Sequence, residues 1–489
     1  MTARPPRSTA QPGPPGATAA GGRVAARRWR ALAVCLVAGF MTLLDVSIVN
    51  VALPTVRAGL HMSESGLQWV LSGYALAFGL VLVPAGRLGD ARSRRAVFLA
   101  GLALFTVASA LAGAARNQEW LVLARLFQGA AGGVLVPQVS GFIQTLFQGA
   151  ERGRAFGALG ATIGLSTAVG PLLGGLLIHL FGPQDGWRWV FLVNLPIGVA
   201  ALPIAYRLLP PPPPATERAG HRDFDPVGVV LLGAGTVALL LPFVQEQQWH
   251  SASRWLLLPV AAVLLTAFVG WEASYGRRHE PLVNMALFGV RPYAAGVVLS
   301  LVYFAGFTAI FFIFTLYLQA GLHYSALTAG LAITPFAVGS GVAAAVGGRL
   351  VSRLGRRLVV AGLLLVLGGL LAAALAVQLW SGPRVGWTTA LPLLVAGAGS
   401  GLVIAPNQTL TLQQVPVARA GSAGGVLQTA QRVGSAVGIA VVGSVFFAHA
   451  RGRHPDWATA FQLGVTVAAG LVLAALLVAV ADEWVGRRA

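Results

Sequence analysis

About fourteen apolar runs, each near the twenty residues that cross a bilayer core about 30 Å thick, fill this chain and leave little between them. A lipid-embedded backbone must satisfy its own hydrogen bonds, and runs of this length do so as helices. The expected spans are 31–52, 68–86, 96–115, 119–142, 154–181, 189–209, 226–245, 254–275, 294–319, 327–349, 358–380, 386–406, 424–448 and 458–481. Only 10% of the residues are charged and 56% are hydrophobic, whereas a soluble domain carries about 25% charged residues. So few charges cannot cover a water-facing surface. The expected fold class is therefore all-α integral membrane.

Net charge is +19, and all 34 basic residues are arginine. Basic chains can face nucleic acid or an anionic membrane. Here the arginines sit in short clusters between apolar runs, which points to the lipid bilayer and away from nucleic acid. With the N-terminus placed in the cytoplasm, 25 arginines fall in cytoplasmic segments, seven in outer loops, and Arg125 and Arg432 within spans. This positive-inside bias fits an even span count, both termini cytoplasmic and a multi-pass cell (inner) membrane location. The outer pair Arg451 and Arg453 runs against it. The lone Cys35 excludes an intrachain disulfide and a cysteine metal site, and the eight histidines show no metal-pair spacing. No cofactor or metal is expected.

Residues 1–30, rich in Pro, Gly, Ala and Arg, are expected to be a disordered basic tail. Segment 210–225 opens with five prolines and is expected to be a stiff cytoplasmic linker. The domains that follow are an N-terminal six-helix half over 31–209, two inserted helices over 226–275, and a C-terminal six-helix half over 294–482.

An internal repeat supports that division. The segment from Gly86 to Arg95 matches that from Gly348 to Arg357 at five positions. The first joins spans two and three, the second spans ten and eleven. Ala168-Val169-Gly170 in span five matches Ala436-Val437-Gly438 in span thirteen. Span n thus resembles span n + 8. Parallel repeats of this kind mark transporters that rock two halves about a central site.

Five motifs then occur in order. They are Leu44-Asp45-x-Ser47 through Pro54, Gly86-x-Leu88-x-Asp90-x-x-x-Arg94-Arg95, and Leu121-x-x-x-Arg125-x-x-Gln128-Gly129. After these come Gly170-Pro171-x-x-Gly174-Gly175 and Trp187 through Asn194 to Gly198. Together they resemble the major facilitator superfamily, specifically its fourteen-helix drug:proton antiporter branch. The resemblance implies export of small amphipathic compounds such as drugs and antibiotics, driven by the proton gradient. It also implies that Gly170, Pro171, Gly174 and Gly175 form the motif that marks antiporters. The loop motif departs from the family at Ala91 and at Ser93, where the family has Gly, so a less tight turn is expected.

Asp45 is the one acid placed well inside an expected span. Charges in lipid are costly and functional by default. At 1.5 Å per residue, Asp45 lies roughly 10 Å and Arg125 roughly 9 Å below the outer surface, so the two can meet. Burial disfavours the carboxylate and a guanidinium favours it. A group held between those influences can exchange a proton with modest movement. Asp45 with Arg125 is the expected proton-coupling site; a static pair that only fixes packing is the competing reading. Asp90, Arg94 and Arg95 are expected to form a conformational latch onto the facing half, with inside-positive anchoring as the alternative. The glycines and Pro171 are expected to give a kinked helix packed against the opposite half.

Tyr74, Gln128, Phe304, Phe307, Phe311 and Arg432 are the candidates for a substrate cavity. The three phenylalanines share one face of span nine, and a lipid-facing stripe is slightly favoured for them. Arg432 has no acid at matching depth, and carbonyls, the interface or an anionic group on the substrate could satisfy it. A narrow-substrate exporter of a self-made antibiotic, siderophore or amino acid fits the same residues. An embedded enzyme would need a catalytic cluster and a sensor would need a soluble domain; the sequence offers neither.

Overall fold

The computed structural model describes residues 16–211, 225–244, 251–380, 382, 384–450 and 456–487. Thirteen helical stretches there are long and apolar enough to cross a membrane. One of them, Ser65–Gly113, contains two helices that turn through a π-segment at Gly89–Ser93, which makes fourteen. In chain order these are α1 (Gly16–Leu60), α2 (Glu64–Leu88), α3 (Arg94–Gly113), α4 (Gln118–Leu146), α5 (Gly149–Gly182), α6 (Gln184–Leu208) and α7 (Pro226–Val244). They continue as α8 (Leu257–Tyr275), α9 (Arg291–Leu316), α10 (Ala326–Leu354), α11 (Arg356–Leu379), α12 (Ala390–Leu412), α13 (Ala420–Ala450) and α14 (Trp457–Gly486). The chain is a multi-pass, all-α membrane protein.

Packing repeats with the offset of eight. Helix α1 packs on α5 and α6, as α9 packs on α13 and α14. Helix α4 packs on α2 and α3, as α12 packs on α10 and α11. The halves meet along two seams that exchange under the same offset, α5 against α10 and α2 against α13. Helices α7 and α8 pair with each other, and α7 leans on the α2–α13 seam.

The seams are close because glycines line them. A Cβ on Gly157 would lie 2.8 Å from the Ala344 carbonyl oxygen, and one on Gly348 would lie 2.4 Å from that of Gly153. A side chain at either place would push α5 and α10 apart.

One expectation about segments changes. Helix α1 begins at Gly16, so residues 16–30 extend the first span as helix. Their alanines and arginines are strong helix formers. Arg28 pairs with Glu151 at 3.4 Å, and Trp29 packs on Phe147 at 4.8 Å between ring centroids. The proline-rich linker lies, over 212–224, outside the described residues.

Candidate functional site

Five helices of the N-terminal half converge on Asp45, whose side chain has no exposed surface. Its Oδ2 accepts from Arg125 Nη1 at 2.6 Å. Its Oδ1 accepts from Gln128 Nε2 at 2.7 Å and from Asn194 Nδ2 at 3.2 Å. Three donors around one carboxylate are the condition under which a charge can be kept in an apolar interior.

Each donor is itself oriented. Arg125 Nη1 also donates to Gln128 Oε1 at 2.7 Å, and its Nε donates to the Val70 carbonyl at 3.1 Å. The guanidinium lies over the Tyr74 ring at 4.2 Å and the Phe191 ring at 5.8 Å. Gln128 Nε2 donates as well to Ser109 Oγ at 2.8 Å. Arg125 and Gln128 are one turn apart on α4, so both reach one point on α1. The structure thus joins Asp45, Arg125, Gln128 and Tyr74 at one site. The sequence alone does not single out Ser109, and Asn194 shows only as a member of the motif around Trp187.

The glycine–proline motif of α5 adjoins this site. A Cβ on Gly170 would lie 1.9 Å from Ser47 Oγ, and one on Gly174 would lie 2.9 Å from the Ile48 side chain. Ser47 Oγ also donates to the Ser166 carbonyl at 3.1 Å. These glycines therefore seat α5 on α1 of the same half, two residues from Asp45. Pro171 and Gly175 turn the other way, toward Gly330 and Leu327 of α10. The expectation that all four face the opposite half is corrected: two do. The one departure from helical dihedrals between Gly149 and Leu192 is Gly182, at φ 85° and ψ 164°, a conformation open to glycine.

At the arginine-rich end, Asp90 bridges the halves. Its Oδ1 and Oδ2 accept from the Gly421 and Ser422 backbone N–H groups at 3.0 and 2.9 Å. Those amides open α13, where a helix has unpaired donors and favours an anion. Arg94 pairs with Asp90 at 2.7 Å and also donates to the Val417 carbonyl near the start of α13. Arg95 does not join them. It turns back to the Tyr206 carbonyl and stacks on that ring at 4.4 Å, within its own half. Ser93 has extended dihedrals, φ −161° and ψ 111°, and its hydroxyl accepts from Ala96 N–H. Serine therefore needs no glycine conformation there, and it caps α3. In the second copy Ser352 stands where Asp90 does, and Arg356 pairs instead with Asp482 at 2.7 Å.

The aromatic candidates sit in the C-terminal half. Phe307 lies 5.4 Å from Phe304 and 5.1 Å from Phe311, and Phe311 lies 4.8 Å from Phe336 of α10. They are half-buried against other helices, so the favoured reading of a lipid-facing stripe is replaced by an interhelical cluster. Arg432, on α13, lies over the Phe78 ring of α2 at 4.5 Å and has no carboxylate partner among the described residues. The Tyr74 hydroxyl is buried without a hydrogen-bond partner among the described residues.

The model of the Major Facilitator Superfamily matches residues 35–439 and, again, 296–487. The chain belongs to that superfamily. It is 40% identical over 442 residues to the probable actinorhodin transporter of Streptomyces coelicolor, covering 89% of this chain and 75% of that one. It is 34% identical to the puromycin resistance protein pur8 of Streptomyces alboniger, covering 94% and 91%. The fold is shared with the human organic anion transporter MFSD10, with TM-score 0.67, 17% identity, and coverage of 92% of this chain and 99% of that one. It is also shared with the proton:xylose symporter XylE, with TM-score 0.64, 16% identity, and coverage of 92% and 95%.

Proposed function

We propose that this superfamily member is a proton-coupled antiporter that exports small amphipathic compounds from the cell by alternating access, with both termini cytoplasmic. The observation that carries the reading is the sealed Asp45 carboxylate with its Arg125, Gln128 and Asn194 donors. A proton arriving on Asp45 removes the charge that holds Arg125. The guanidinium must then find another acceptor, so α1 and α4 cannot keep both protonation states in one arrangement. That obligation couples proton binding to helix movement. Each proton descending 100 mV supplies about 2.3 kcal/mol.

The Asp90 contacts belong to the state closed at the arginine-rich end, and the halves part there when cargo enters. Arg432 over the Phe78 ring and the cluster of Phe304, Phe307 and Phe311 support an anionic group and rings as cargo chemistry. The test is efflux in inverted vesicles under a proton gradient with a panel of dyes and antibiotics. Transport indifferent to the gradient overturns the reading.

A narrow substrate range is the second reading. Relatives named for single compounds favour it, among them the tetracenomycin C resistance and export protein of Streptomyces glaucescens and the cephamycin export protein CmcT of Amycolatopsis lactamdurans. The same panel separates the two readings.

A further inference from the structure

The inserted helices carry a pair of buried acids to which the transport reading gives no role. Asp225 stands just before α7 and Glu272 lies in the last turn of α8, each 1% exposed. Asp225 accepts from two neighbours. Its Oδ1 accepts from the Gly228 backbone at 2.9 Å, at the start of α7, and the Trp271 indole donates to Oδ2 at 2.9 Å and Oδ1 at 3.1 Å. Glu272 is held differently. Its Oε2 accepts from the Val283 backbone at 3.1 Å, while Oε1 is buried with no donor among the described residues.

That lone oxygen faces Asp225. A Cβ on Gly228 would lie 2.4 Å from Asp225 Oδ2 and 2.5 Å from Glu272 Oε1, so both oxygens converge on one spot. Val283, whose amide Glu272 accepts, belongs to a buried apolar cluster with Val83, Phe268 and Leu282. The charged groups on the neighbouring elements are Arg87 of α2, paired with Glu280 at 3.2 Å, then Arg277, Arg278 and His279 beyond α8, and Arg432 of α13. Two acceptors meeting in an apolar setting share a proton, because both cannot ionise there.

We propose that Asp225 and Glu272 form a second proton-binding site, which clamps the inserted helices and the segment after α8 onto the seam between the halves. The proton resides on Glu272 Oε1 and is donated to Asp225 Oδ2. Its loss to water breaks that hydrogen bond and leaves two facing anions. Glu272 must then swing away, and Val283 loses its acceptor. Val283 and Leu282 cluster with Val83 of α2, and Val426 of α13 packs against them. One step away, a Cβ on Gly425 would touch Leu82 and Val83, so this is where α2 meets α13. Acidity at the arginine-rich end therefore sets how firmly that seam is covered, independently of Asp45.

The test is the reactivity of Val283→Cys in the full reconstituted chain, with Cys35→Ser to remove the native thiol. A membrane-impermeant maleimide is applied over a pH series, with and without Glu272→Gln. That amide keeps the acceptor for Val283 and a donor for Asp225, so it mimics the protonated pair. The ratio of the two rates cancels the pH dependence of the reagent. The ratio is expected to rise about tenfold per pH unit as the pH climbs toward the titration of the pair, the slope of one released proton, and to level off above it. Glu272→Ala, which lacks both bonds, is expected to label rapidly at every pH. A flat ratio, or Glu272→Ala labelling no faster than Glu272→Gln, overturns the proposal. No substrate is needed, so the result stands apart from the export reading.

Discussion

Replacing Asp45 by Asn exchanges one oxygen for an NH2 group and removes one charge from a fully buried site. If the new amide keeps its oxygen toward Gln128 and Asn194, its NH2 group meets Arg125 donor to donor. If it flips, the clash moves to Gln128 and Asn194. In both cases Arg125 is left buried without its counter-charge, and breaking such a pair costs about 3–5 kcal/mol. Protonation of the native carboxyl imposes the same loss, so the variant is a permanent imitation of the loaded state. One proton moving down 100 mV supports a cargo gradient of about fortyfold, from about 2.3 kcal/mol at about 1.4 kcal/mol per factor of ten. In inverted vesicles, the Asp45→Asn protein is expected to insert normally and to accumulate no dye above the no-gradient control. Accumulation at the wild-type level would refute the reasoning from burial to coupling.

Further outcomes follow from the same geometry. Asp45→Asn and Arg125→Gln should each lower the thermal stability of the purified protein, whereas the double variant should recover most of the loss, since no buried charge remains unpaired. Asp90→Asn should loosen the α13 contact and speed maleimide labelling of Ser422→Cys several-fold. Gly170→Val should abolish efflux, because its Cβ would overlap Ser47 Oγ; Gly175→Ala, with 3.7 Å to Leu327, should retain most activity. Arg432→Gln should reduce efflux of anionic dyes more than of cationic ones, read as a ratio of initial rates.

The span count and the offset of eight were legible because lipid imposes a length and a polarity on every helix. The meeting of Asp45 and Arg125 was legible too, since helical rise converts residue number into depth. Depth says nothing of azimuth, however. That is why Gly170 and Gly174 turned out to face α1, Arg95 faced its own half, and the phenylalanines of α9 met Phe336. Ser109 and Asn194 are small polar residues in apolar runs, and only tertiary packing brings them to the carboxylate. Glu272 stands in the last turn of α8 and Asp225 just before α7, where acids ordinarily meet water. Their burial depends on how the segment through Val283 folds over them.

The central claim concerns a proton that leaves Asp45 as cargo binds. Purified protein in weakly buffered solution, mixed with a transported dye and followed with a pH indicator, measures that proton directly. The account predicts release of about one proton per bound dye molecule in the native chain and none from Asp45→Asn. Equal release from both proteins would contradict it.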